Sequence, residues 1–111
     1  MQYQGGKART AKHIAAAINE RHDLSVPCYE PFAGAASVTC ALQPRTVYPS
    51  DANLALVNMW NALLHEGWDP PDSLSREEHA ALKAADDPEN PLTAFAMAGC
   101  SFGGQWGAGY A

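Results

Sequence analysis

A chain of 111 residues with a net charge of −5 is one domain or a piece of one. Its residues are 47% hydrophobic and only 17% charged, enough apolar content for a real core, which excludes a disordered chain. The acidic balance excludes a protein whose whole surface grips a phosphate backbone, because that affinity comes from clustered Lys and Arg. An enzyme of nucleic acid with its basic surface elsewhere stays open.

The elements follow in chain order. Residues 8–21, "ARTAKHIAAAINER", place Ala11, Ile14, Ala15 and Ile18 on one stripe and predict a helix. "VPCYEPF" is then a short strand, with Pro27 at its beginning. A helix over 35–42, "AASVTCAL", starts directly from the turn and ends before Pro44. "TVYPSD" is a second strand ending at Asp51. Residues 53–65 predict the strongest helix, with Leu56, Val57, Trp60, Leu63 and Leu64 sharing a face and Trp60 in the core.

"EGWDPPDS" is a loop by its glycine and prolines. Ser75, followed three residues later by Glu78, predicts a capping box and a helix start. "NPLTAFAMAGCS" is a further short helix with Pro91 in its first turn. The ending, "SFGGQWGAGYA", interleaves glycine with aromatics. Strand–helix–strand is the unit of a parallel sheet, so the fold class is α/β. Two strands make an incomplete sheet, and the chain reads as part of a larger fold.

Cys28, Cys40 and Cys100 show no CxxC spacing, and His13, His22, His65 and His79 are scattered. Neither pattern predicts a metal site, and the thiols predict a reduced, cytoplasmic protein. No apolar run is long enough for a membrane span, and the first residues do not read as a signal peptide.

The chemistry concentrates at "YEPFAGAASV", residues 29–38, where Gly34 sits among small residues after a strand. In doubly wound α/β folds ligands bind over such a turn, at the carboxyl ends of the strands. Asp51 closes the next strand 17 positions later, where an acid accepts hydrogen bonds from ribose hydroxyls. Taken alone, a turn glycine and a strand-end aspartate also describe an empty turn. Phosphate cradles do not fit: Ala8 follows "GGK" where a P-loop needs Ser or Thr, and "FAGAAS" lacks the G-x-G-x-x-G spacing. A ligand with a ribose and no pyrophosphate matches better, and S-adenosylmethionine is one.

"YQGGKART", "YEPFAGAASV" and "PSDANLALVNMW", in that order, resemble the N-terminal region of Dam-type adenine-specific DNA methyltransferases. "FAMAGCSFGGQWGAGYA" is similar to the stretch before the target-recognition portion in phage members. The resemblance implies a partial Rossmann-like methyltransferase fold, parallel strands flanked by helices with the sheet incomplete, followed by a helical segment. It implies a cofactor-binding part at 1–66 and, at 67–111, a helical segment leading into a target-recognition portion beyond this chain. S-adenosylmethionine is the implied cofactor and DNA the implied partner, with no membrane and no metal.

Carried over by motif, Tyr3 stacks on the cofactor and Lys7 approaches its carboxylate. Glu30, Pro31, Phe32 and Gly34 line the pocket, and Asp51 holds the ribose. Ala36 stands where the family often has a second glycine, and an alanine is tolerated there if its φ is negative. The family's catalytic Asp-Pro-Pro-Tyr is absent: "DPPD" at 69–72 follows the end of a helix and offers no ring for an extruded base. The chain is therefore expected to be an N-terminal portion, catalytically incomplete alone, with no catalytic residue of its own. The alternative is a non-catalytic remnant acting as a cofactor-binding or interaction module. Trp106 and Tyr110 either contact DNA bases or pack against other parts of the enzyme.

Overall fold

The computed structural model describes residues 1–111. It is a small α/β structure with two parallel strands and five α-helices. The chain forms two compact units, Gly5–Ala52 and Asn53–Ala111 together with Met1–Gln4.

In the Gly5–Ala52 unit, helix α1 (Ala11–Arg21) and helix α2 (Ser37–Ala41) accompany strands β1 (Cys28–Glu30) and β2 (Val47–Pro49). The strands pair in parallel, with Cys28 opposite Val47, Tyr29 opposite Tyr48 and Glu30 opposite Pro49. Because side chains alternate across a strand, Cys28 and Val47 turn toward the core of Ala11, Ala15, Val38 and Leu42. Tyr29 and Tyr48 point the other way, stacked with ring centroids 5.1 Å apart and 73% and 53% exposed. The sheet is thus covered by helices on one face only.

Helix α1 begins three residues later than its periodicity predicts. The Lys7 carbonyl accepts from both Thr10 and Ala11, so residues 8–10 form a turn. At its other end Arg45, 2% exposed, donates to the carbonyls of His22 and Val26 at 2.8 Å each. It also reaches Asn19 Oδ1, at 3.2 Å from Nε and 3.1 Å from Nη2. Helix C-termini leave carbonyls without intrahelical donors, and they attract cations; the guanidinium meets both needs.

In the second unit, helix α3 (Leu54–His65) is capped by Asn53, whose side chain accepts from the Leu56 amide at 3.3 Å. Its Ala55, Leu56 and Met59 form a core with Ala94, against which Trp60, Trp68 and Tyr3 pack half-buried; the predicted face does not extend to its C-terminal end, where Leu63 and Leu64 are exposed. The "DPPD" stretch lies in the loop that follows. Helix α4 (Arg76–Ala85) starts at Ser75 with the capping box formed on both sides, at 2.7 and 3.1 Å. Helix α5 (Pro91–Ala94) has Pro91 at its first position and continues into a π-helical turn over Phe95–Gly99.

The capping box gives a measurable pH dependence. Glu78 is held below its ordinary value of 4.5, first because the Ser75 amide donates to it and second through the Ser75 hydroxyl. A depressed folded-state value means the stabilisation is present above pH 4.5 and is lost as pH falls through the folded value. Ser75→Ala is expected to cost about 1 kcal/mol at neutral pH. Alanine keeps the amide that donates to Glu78, so the acid-labile part is read with Glu78→Gln: in urea unfolding the parent's advantage over that variant should shrink as pH falls, and a gap independent of pH would overturn the assignment.

Candidate functional site

The glycine turn singled out by the sequence lies where β1 and β2 end. The parallel ladder does not stop with the strands: the Ser50 amide donates to the Glu30 carbonyl at 2.8 Å and the Ala33 amide to the Ser50 carbonyl at 2.9 Å. One step further the Gly34 amide donates to Asp51 Oδ2 at 2.9 Å. The two residues singled out by sequence spacing therefore meet directly. Gly34 is buried, with φ at +51°, a conformation that glycine adopts without steric penalty.

The remaining predicted residues of this unit have their own settings. Glu30 is half-buried and its carboxylate accepts from the Thr39 hydroxyl of α2. Pro31 is exposed, and Phe32 projects outward with 85% of its surface exposed. Lys7 is exposed, its ammonium donating to the Gly5 carbonyl at 2.7 Å. Tyr3 belongs to the other unit, half-buried against the α3 core.

Ala36 departs from the condition set for it. Its φ is +56° and ψ +22°, the left-handed region, not a negative φ. The turn dictates this: the Ala36 amide donates to the Ala33 carbonyl at 2.7 Å, and the Ala36 carbonyl accepts from Cys40 at 2.9 Å to begin α2. An L-residue pays roughly 1–2 kcal/mol for that geometry, while glycine loses more chain entropy on folding. The first term wins, so Ala36→Gly is expected to stabilise by about 0.5–1 kcal/mol. A thermal scan should show a Tm rise of roughly 2–5 °C; a fall would mean that the Ala36 methyl contributes packing worth more than the strain.

Sequence reasoning passed over one exposed aromatic. Residues 101–110 form a loop closed by an antiparallel bridge between Ser101 and Tyr110. Phe102 donates to the Gly109 carbonyl at 2.8 Å, and Gly107 to the Met97 carbonyl at 2.9 Å. His79, buried on α4, pairs with the buried Ser101 hydroxyl at 3.0 Å, and that hydroxyl donates to the Ala96 carbonyl at 3.1 Å. Tyr110 is an anchor of this loop: its hydroxyl donates to the Leu74 carbonyl at 2.6 Å, and Arg76 lies over its ring. On this pinned frame Phe102 is 74% exposed and Trp106 37%. The signal was the aromatic beside two glycines, "SFGG", but nothing local says which ring of the tail faces outward.

Glu30 and Asp51 are acceptors at adjacent strand ends, and Lys7 supplies an exposed cation. Burial pushes the Cys100 thiol up, which disfavours the thiolate a nucleophile requires. No group of three or more His, Cys, Asp or Glu is placed to hold a metal ion, and no helix is long and apolar enough to cross a membrane.

A family model described as D12 class N6 adenine-specific DNA methyltransferase matches residues 3–91. The chain belongs to this family. Its members act on DNA and use S-adenosylmethionine as the methyl donor. The match spans all seven residues assigned to cofactor binding, from Tyr3 to Asp51, and agrees with the resemblance carried by the three motifs. No curated protein and no solved structure matches the chain.

Proposed function

We propose that this D12-class chain binds S-adenosylmethionine over the turn between β1 and α2, as the cofactor-holding part of a DNA adenine N6-methyltransferase with a partial Rossmann-like fold. The observation that carries the reading is the 2.9 Å bond from the Gly34 amide to Asp51 at the carboxyl ends of two parallel strands, where α/β folds take their ligands. The bound cofactor supplies a methyl group activated on a sulfonium.

Each side chain has a task matched to its chemistry. Asp51 accepts from the ribose hydroxyls, its second acceptor capacity being what distinguishes a carboxylate from a single carbonyl. Lys7 leaves the Gly5 carbonyl to pair with the ligand's carboxylate. Phe32 offers an aromatic face, which attracts a sulfonium through the ring quadrupole, and Glu30 and Pro31 flank the turn. The cofactor role belongs to residues 1–66. Residues 67–111 carry the approach to DNA, with Phe102 as the ring positioned to stack on an unpaired base.

The 111 residues contain no Asp-Pro-Pro-Tyr, the acceptor that would orient an adenine amino group. This chain by itself is therefore expected to bind cofactor without transferring its methyl group.

Calorimetric titration with S-adenosylmethionine tests the reading. The parent should bind saturably, and Lys7→Ala should bind roughly tenfold more weakly, the loss of one charge-assisted contact at an exposed site. A folded parent giving no heat of binding would sink the proposal.

A further inference from the structure

A cavity of about 290 Å³ opens between α3 and the π-helical turn, and every residue lining it belongs to the unit of Asn53–Ala111 and Met1–Gln4. Four separate stretches build it. Helix α3 gives Met59, Trp60 and Leu63, and the loop after it gives Trp68 and Pro70. The π-helical turn gives Phe95 and Gly99. Met1 lines the fourth side: its Cγ and the Phe95 Cδ2 lie 3.5 and 3.8 Å from where a Cβ on Gly99 would stand. The Gln4 amide holds that segment in place by donating to the Gly104 carbonyl at 2.8 Å.

The lining decides what fits. None of its side chains is charged, so an ionic or strongly polar ligand would lose its hydrogen bonds to water without replacement. Two indoles, a phenyl ring and two thioethers favour an aromatic partner, which gains ring–ring and sulfur–ring contacts that an aliphatic one lacks. The volume is roughly twice the ~150 Å³ that accommodates benzene in an engineered apolar cavity, which is room for two fused rings. Met59, 4% exposed, gives the site a buried floor. The wall at Phe95 is a π-helical turn, closed by the Cys100 amide on the Phe95 carbonyl at 3.2 Å, and such turns recur at functional sites. We infer that this cavity binds a small, flat, uncharged bicyclic aromatic molecule, at a site that shares no residue with the glycine turn.

Indole is the probe. Titrated into the full ¹⁵N-labelled chain, it should saturate with a dissociation constant of roughly 0.1–1 mM, the range open to a ligand of about nine non-hydrogen atoms. The chain has three tryptophans, and each indole N–H gives its own NMR signal. Those of Trp60 and Trp68 should shift to saturation, while that of Trp106, which does not line the cavity, should stay. Cyclooctanol, aliphatic and of equal heavy-atom count, should bind roughly two- to tenfold more weakly. A matched pair of variants blocks the site or spares it. Leu63 and Leu64 are neighbours on α3, 37% and 67% exposed, but only Leu63 lines the cavity. By calorimetry Leu63→Trp, which fills the space, should weaken indole at least tenfold, and Leu64→Trp should stay within about twofold.

Equal shifts at all three tryptophans would overturn the inference, as would no saturation below indole's solubility limit, equal affinity for cyclooctanol, or Leu63→Trp binding like the parent. The tryptophan pattern needs no variant, so refutation stays possible even if Leu63→Trp does not fold. Shifts of Trp60 and Trp68 that follow protein concentration without indole would assign the cavity to a contact between copies of this chain, and overturn the inference too. No readout involves S-adenosylmethionine, so failure here leaves the proposed cofactor site untouched.

Discussion

Arg45→Ala is expected to destabilise the Gly5–Ala52 unit by about 2–3 kcal/mol. Arg45 is 2% exposed and bonded to His22, Val26 and Asn19. Alanine removes the donor from two carbonyls and an amide oxygen at once, and each such loss costs about 1–3 kcal/mol when the group is buried. Two effects pull the other way. His22 and Val26 are exposed residues, so water reaches part of what the guanidinium leaves behind. Removing a buried charge also relieves its desolvation. The hydrogen bonds win because the cation sits at the C-terminus of α1, where the helix dipole favours it, with Asp23 close enough for Arg45 to lower its carboxyl after the larger effect of the Ser25 bonds.

The tryptophans, Trp60, Trp68 and Trp106, all lie outside this unit, so fluorescence is the wrong probe. Amide exchange of α1 in increasing urea reports directly, with an expected shift of roughly 1–2 M in the opening midpoint. Arg45→Met supplies the discriminating outcome. If it opens at the same urea concentration as the parent, the packed stem and not the hydrogen bonds holds the strand end to the helix.

The same residue shows where sequence reading stops. The Ser75–Glu78 box was legible to the residue because both partners are three positions apart and the chemistry is local. Pro91 at the start of its helix and the Gly34 turn were legible for the same reason. Arg45 was not, since its partners lie 19 to 26 positions away and no short-range pattern announces a buried cation. His79 and Ser101, 22 positions apart, are hidden likewise. The left-handed Ala36 is a different kind of miss: propensity assigns positive φ to glycine, and the turn fixed by Ala33, Gly34 and Asp51 overrides it. Of the site, spacing located Gly34 and Asp51 together, but it did not place Glu30 against Thr39 or show Phe32 turned outward.

Asp51 carries the second large effect, because one carboxylate holds the turn and, in the proposed function, the ligand. Asp51→Asn and Asp51→Ala separate those duties. Asparagine keeps an amide oxygen able to accept from the Gly34 amide, so its unfolding should track the parent closely. It replaces a charged acceptor by one neutral oxygen and an NH₂ group that can only donate. A hydrogen bond to a charged group is worth about 1.5–3 kcal/mol, so S-adenosylmethionine affinity should fall roughly tenfold to a hundredfold. Alanine takes away the Gly34 partner as well and should lose about 1–3 kcal/mol of stability besides at least the same affinity. Calorimetric titration paired with urea unfolding on all three proteins reads both axes. If asparagine binds like the parent while alanine does not, Asp51 acts on the ligand only by shaping the turn. If asparagine loses affinity at unchanged stability, the carboxylate itself meets the ligand, because the turn is the same in both proteins and only the charge and acceptor set differ.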